Sequence, residues 1–195
     1  VSSLLSDSTV APERVDAAIL DLDGVVTRTA RVHAAAWKDL FDPLLERHLG
    51  PGHAPFDPQG EYREHVDGKP RLDGVRDFLA SRGIHLPEGG PDDDPGDETV
   101  HGLGRRKNDL FLERLERQGV EPYPDAVLLL RNLRDAGVAT AVVSSSRSCA
   151  AVLEAAGVGH LFDARVDGVE ARRLGLAGKP APDLFLEAAR RLDSA

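Results

Sequence analysis

The sequence predicts an α/β protein: a doubly wound, Rossmann-like parallel sheet with a helical segment inserted after its first strand. Three observations predict it. The apolar run Val15 to Leu20 breaks on Asp21-Leu22-Asp23-Gly24, the pattern of a buried parallel strand entering a loop at its carboxyl end. Residues 29 to 118 then read as helices and loops, and after Gly119 short apolar strands alternate with helical stretches, as parallel sheets require.

The elements follow in order. A helical pattern starts near Thr29 and runs to Leu40, and Asp42-Pro43 suits the N-cap and first position of a continuing helix that stops at Gly50. Residues 50 to 60 form a Pro/Gly loop. Helices are predicted over Glu61 to Val66, Leu72 to Arg82 and Val100 to Gln118, with the acidic stretch Pro87 to Asp97 as a mobile surface loop. The alternation then resumes with helix Asp125 to Ala136, closed by Gly137, and strand Val138 to Val143. After the Ser-rich turn 144–146 come helix Cys149 to Ala156, strand Ala164 to Val166 and a final helix from Pro182 to Leu192. This divides the chain into a core (1–28 and 119–195) and an inserted helical cap (29–118) joined by two linkers, an arrangement suited to a lid.

With 195 residues, 41% of them hydrophobic and 29% charged, the chain can bury a sizeable core. A net charge of −9 argues against nucleic-acid binding, because a polyphosphate backbone would be repelled over most of the surface. Cys149 is the only cysteine, which excludes an intrachain disulfide and a thiolate zinc cluster and suits a reducing compartment; cytoplasm is the expected location. The start, Val1 to Asp7, lacks a basic and then apolar leader pattern. No stretch approaches the ~20 apolar residues of a membrane span, so no membrane partner is expected. A monomer is the default expectation.

Three places carry chemistry. Asp21 and Asp23, one residue apart at a strand end, can turn both carboxylates toward one pocket, where a cation or a shared proton must relieve their repulsion. One could then attack phosphorus while the other exchanges a proton with the leaving or entering oxygen, Gly24 allowing the sharp turn beside them. A polar turn after a strand reads equally well from these residues alone. Ser144 ends a second predicted strand and can hold phosphate oxygens with its hydroxyl and the following N–H groups, or simply cap a helix. Lys179, between Gly178 and Pro180, can neutralise a phosphoryl oxygen and the nucleophile, or be a solvated loop lysine.

Taken together and in this order, Asp21-Leu22-Asp23-Gly24-Val25, Ser144 and Lys179 resemble motifs one to three of the haloacid dehalogenase superfamily. The insert adds Thr29, His33, Trp37 and Lys38, Arg71 within Val66-Asp67-Gly68-Lys69-Pro70-Arg71, and Lys107-Asn108, a set similar to the cap of the β-phosphoglucomutase family. The resemblance implies Asp21 as nucleophile, Asp23 as general acid/base, Ser144 and Lys179 as catalytic partners, and Thr29 at the cap hinge. It implies Arg71 and Lys107 gripping the phosphate that is not reacting, His33 orienting Asp23, and Ser145, Ser146 and Arg147 near the phosphate site. Trp37 is a substrate-contact candidate, although a tryptophan on an amphipathic helix also suits packing.

Mg2+ is the implied cofactor, bound by Asp21 and the backbone carbonyl of Asp23. The remaining acidic ligands, the family's fourth motif, would follow a further strand beyond Ala195, and without that strand the Asp21 strand would be an exposed edge. Asp163, Asp167, Glu170 and Asp183 do not fit the motif order. The resemblance implies an enzyme of carbohydrate metabolism acting on a small phosphorylated sugar: an isomerase converting β-glucose 1-phosphate to glucose 6-phosphate through a bisphosphate. A sugar-phosphate phosphatase, which is a hydrolase, and a non-catalytic phosphosugar-binding module are the alternatives.

Overall fold

The computed structural model describes residues 15–193; the start Val1 to Asp7, read above for leader signals, lies outside them. The chain divides into two compact units, one of residues 1–28 with 120–195 and the other Thr29–Gly119.

In the first unit three parallel strands lie in the order β1 (Ala17–Asp21), β2 (Ala139–Val143) and β3 (Ala164–Val166). Thr140, Val142 and Val143 put β-branched side chains into β2, which is buried after its first residue. β1 pairs with β2 and, among the described residues, with no further strand, and all five of its residues stay half-exposed. Helices α4 (Pro124–Asp135), α5 (Cys149–Ala155), α6 (Gly168–Leu174) and α7 (Asp183–Leu192) complete this unit. On α7, Leu184, Ala188 and Leu192 recur every four residues and form one buried stripe against Ala141, Val143 and Val166.

Helix α6 was not legible beforehand, and the reason is physical: it buries no residue, so it has no apolar stripe for periodicity to detect. It forms because Asp167 caps it, accepting from the N–H groups of Val169 (2.9 Å) and Glu170 (3.1 Å), while Gly175 ends it in a left-handed turn. The two linkers pair within this unit: Arg28 N–H donates to Glu121 O and Tyr123 N–H to Val26 O, each at 2.9 Å. The Arg28 guanidinium lies 4.8 Å over the Tyr123 ring.

The second unit comprises α1 (Thr29–Leu49), a π-helical turn Tyr62–Val66, α2 (Arg71–Ser81) and α3 (Val100–Gln118). Its core is aromatic, with ring centroids 3.8 Å apart for Phe41 and Phe78 and 5.2 Å for Phe56 and Phe78. α1 does not restart at Asp42-Pro43 as the sequence suggested. Asp42 is not a cap: it accepts from Phe56 N–H at 2.8 Å and pairs with Lys38 at 2.8 Å. Pro43 is carried inside a continuous helix whose Leu40, Phe41, Leu44 and Leu45 are buried together, so packing outweighs the proline's local penalty.

The acidic stretch 87–97 forms no helix or strand, yet side chains tie it down. Arg76 donates to Glu88, Arg105 to Pro91 O, Thr99 Oγ1 to Asp93 at 2.5 Å and Asp94 N–H to Asp97 at 2.8 Å. Among the described residues, no helix is long and apolar enough to cross a membrane.

Candidate active site

Parallel register brings the first unit's chemistry to the carboxyl ends of its strands. Asp21 is paired with Val143, and Val143 with Val166, so the segments leaving the three strands start side by side. Leu22 N–H donates to Val143 O and Ser144 N–H to Val166 O, both at 3.1 Å, which carries the pairing one step past each strand.

The chain then curls tightly. Leu22 O accepts from the N–H groups of Val26 and Thr27 (3.0 Å each) and from Thr27 Oγ1 at 3.2 Å, and Gly24, at φ 79°, returns an N–H to Thr27 O. Leu22, Val26 and Thr27 are completely buried, whereas Asp21 and Asp23 remain half-exposed. Apolar anchors thus hold the loop and leave its two carboxylates accessible.

Four of the residues singled out by sequence come together here. Lys179 Nζ donates to Asp21 Oδ1, which also accepts from Leu22 N–H at 2.9 Å. Ser144 Oγ donates to Asp23 Oδ2 at 3.0 Å and accepts from Ser146 N–H at 3.0 Å. One carboxylate therefore faces a fixed ammonium and its neighbour a hydroxyl, an arrangement that separates a nucleophile from a proton carrier. Ser146 also uses its own hydroxyl to accept from Ser148 N–H at 3.1 Å, while Ser145 and Arg147 are exposed on the same loop.

Sequence reasoning missed what supports that loop. A Cβ on Gly168 would lie 2.5 Å from Ser145 O and 3.0 Å from Ser146 C, so only glycine lets the start of α6 press against the turn. Gly168 N–H donates to Ser146 O at 3.1 Å. A glycine directly after a capping aspartate was the available signal. Asp163, Asp167 and Glu170, set aside earlier as metal ligands, are occupied otherwise. Asp163 holds Arg134 and Thr140, Asp167 caps α6 and pairs with Arg165, and Glu170 binds Arg173 and Arg191, which lower its pKa to about 2.

A second cluster lies wholly within the helical unit. Lys107, on α3, is buried; its ammonium lies 5.0 Å from the ring centres of Trp37 and of Phe111 and 2.7 Å from Nδ1 of His33. The His33 ring stacks on Phe111 with centroids 4.2 Å apart. Burial, then the charges of Lys107 and Arg71, hold the His33 imidazole well below its usual range. It is therefore neutral, and its Nδ1 can accept a hydrogen bond from the Lys107 ammonium. Arg71, the first residue of α2, donates from Nη1 to Asn108 Oδ1 at 2.6 Å. Trp37 belongs to the core as well, stacked on Phe41 at 5.1 Å. Thr29 is buried at the first position of α1.

Among the described residues, no group of three His, Cys, Asp or Glu side chains is placed to hold a metal ion. Asp21 and Asp23 are nevertheless hard oxygen donors of the kind magnesium takes, and it commonly needs only one or two protein carboxylates.

The family model of haloacid dehalogenase-like hydrolases matches residues 15–195. The β-phosphoglucomutase of Mycobacterium tuberculosis (strain CDC 1551) is 47% identical over 184 residues, covering 93% of this chain and 70% of the relative. Among solved structures, β-phosphoglucomutase from Clostridium difficile superposes with a TM-score of 0.67 at 21% identity, over 92% of this chain and 71% of that one. CbbY from Rhodobacter sphaeroides, in complex with phosphate, gives 0.66 at 23% identity over 92% and 73%.

Proposed function

Since the chain belongs to the haloacid dehalogenase superfamily, on its β-phosphoglucomutase-like branch, and is an enzyme of the phosphotransferase or hydrolase kind, we propose that it interconverts β-glucose 1-phosphate and glucose 6-phosphate through an aspartyl phosphate on Asp21. The observation that carries this reading is the pairing of Asp21 with Lys179 beside the Ser144–Asp23 hydrogen bond. It is supported by the 47% identity to a mycobacterial β-phosphoglucomutase.

In one half-reaction the Asp21 carboxylate attacks a phosphorus of the sugar bisphosphate, the bond from that phosphorus to the leaving sugar oxygen breaks, and Asp23 supplies that oxygen's proton to give the monophosphate. In the other, Asp23 takes the proton of the attacking sugar hydroxyl, which receives the phosphoryl group and releases Asp21. Lys179 balances charge at Asp21 and on the transferring group, and Ser144 orients Asp23 and offers its hydroxyl to a phosphoryl oxygen. Ser145, Ser146 and Arg147 line the same loop. Asp21 and the backbone carbonyl of Asp23 would hold Mg2+, which would supply further neutralisation of the phosphoryl charge.

To the helical unit we assign the cap, with Thr29 at its hinge, Trp37 and His33 shaping the sugar site, and Arg71 and Lys107 binding the phosphate that is not reacting. Arginine offers that phosphate a bidentate fork and lysine a point charge. Cys149 takes no part: it is buried, and burial pushes its thiol pKa up to about 12.

The test is phosphorus NMR of the protein with β-glucose 1-phosphate and Mg2+. Glucose 6-phosphate should accumulate with little free phosphate, and Asp21→Asn should end turnover. Predominant release of inorganic phosphate would make the enzyme a sugar-phosphate phosphatase instead. Undiminished turnover by Asp21→Asn would remove the aspartyl phosphate altogether.

A further inference from the structure

Lys179 reaches Asp21 from a loop, and its ammonium sits at the end of a flexible four-carbon stem. Entropy works against such a contact unless the loop itself is fixed. The segment 176–182, between α6 and α7, has few backbone ties of its own. Leu176 N–H donates to Ala171 O at 2.9 Å and Ala181 N–H to Gly178 O at 3.0 Å, with Lys179 between them.

A side chain supplies the missing brace. Asp183 Oδ2 accepts from Ala177 N–H at 2.9 Å, reaching back over six positions and closing a ring of chain with Lys179 inside it. Asp183 is the first residue of α7, and its neighbour Leu184 is completely buried in the stripe that packs on Ala141, Val143 and Val166. The loop is thereby fastened to a helix seated on the sheet, and on its other flank Leu176 packs against the same apolar cluster. Phe185 places its ring centre 5.9 Å from Lys179 Nζ, which walls the stem on one side. A carboxylate in the first turn of a helix is favoured by the helix dipole, but that preference does not require its oxygen to turn back to Ala177.

We propose that Asp183 is a positioning residue for Lys179. By bracing Ala177 it holds the loop where the ammonium meets Asp21, so the charge is in place when the phosphoryl group transfers. The inference rests on the role given to Lys179 above.

The test uses the full chain with Asp183→Ala, which removes the acceptor, and Asp183→Asn, which keeps an oxygen acceptor without the charge. Lys179→Met and its double variant with Asp183→Ala are the references. Kinetics with β-glucose 1-phosphate are measured beside hydrogen exchange over residues 176–182. Asp183→Ala should lower kcat about tenfold with KM little changed, speed exchange at Ala177, and add nothing to the loss already present in Lys179→Met. Asp183→Asn should restore most of kcat, because an amide carbonyl accepts the same bond. A carboxylate that served only the start of α7 would give another pattern: both variants would melt earlier, and kcat would not move. Unchanged kcat in Asp183→Ala while Lys179→Met is impaired, or losses that add in full, overturns the positioning role and leaves that of Lys179 standing. Normal turnover by Lys179→Met removes the role of Lys179 and this inference with it. If the parent does not turn over β-glucose 1-phosphate, the mutase reading fails and exchange decides: protection of Ala177 that survives in Asp183→Ala overturns the brace, and protection that is lost supports it. Should Asp183→Ala not fold, Asp183→Glu takes its place, since it keeps the charge on α7 but moves the oxygen by one methylene, and the same fall in kcat is expected.

Discussion

Replacing Gly168 with alanine tests whether the serine turn must be held to a fraction of an ångström. The new Cβ would sit 2.5 Å from Ser145 O, 3.0 Å from Ser146 C and 3.1 Å from Arg147 N. All three are backbone atoms, so no flexible side chain can swing aside. Restoring ordinary contact to Ser145 O requires the turn to retreat by about 0.9 Å. That movement drags Ser144, whose hydroxyl reaches Asp23 at 3.0 Å and also holds Ser146 N–H. A misplacement near 1 Å costs roughly a hundredfold in rate, whereas overpacking at a surface turn costs about 1–3 kcal/mol of stability. The measurements are kcat/KM for β-glucose 1-phosphate and a urea melt. Gly96→Ala serves as the control, since no atom lies within 4 Å of its added Cβ. If Gly168→Ala keeps full activity, either the turn tolerates displacement or Ser144 does not set the rate, and the reasoning fails.

Three further outcomes are expected. Lys179→Met should lower kcat/KM by about 10²–10³, yet shift the melting temperature little, because its pair with Asp21 is partly solvated; a large loss of stability with activity intact would contradict this. Phe78→Ala should cost about 3–5 kcal/mol in urea denaturation, since its fully buried ring packs on Phe41 and Phe56, while Leu128→Ala, 51% exposed, should stay within about 0.5 kcal/mol. His33 has a lowered pKa, so below its ordinary value of 6.5 the unfolded chain takes up a proton that the folded one refuses. Its contribution to stability is thus complete above that pH and is lost on acidification, at up to about 1.4 kcal/mol per pH unit. Urea melts at pH 7.5, 6.5 and 5.5 should show a shallower acid loss in His33→Gln than in the parent; equal slopes would mean that folding leaves the proton affinity of His33 unchanged.

Legibility followed burial. β2 and α7 were evident because an apolar run and a four-residue stripe are direct imprints of a buried face. α6 escaped notice because it buries nothing, and the break expected at Pro43 did not occur because Phe41, Leu44 and Leu45 are packed on either side of it. The loop 87–97 showed its composition in the sequence but not its anchors, since Glu88, Asp93 and Asp97 find partners three to twelve residues away. Likewise, the part that Gly168 plays depends on which backbone approaches it, and the residue type does not announce that on its own.

By itself the sequence determined the α/β alternation, the strand ends that carry Asp21 and Ser144, and the cations at Arg71, Lys107 and Lys179, because periodicity and motif spacing are properties of one dimension. Tertiary structure alone decided which partner each charge meets. Lys179 reaches Asp21 across 158 positions and Lys107 reaches His33 across 74. The packing of α7 against the sheet sets the first of these contacts and the packing of α1 against α3 the second. Coulomb and hydrogen-bond energies depend on separation in space, and a chain acquires those separations only when it folds.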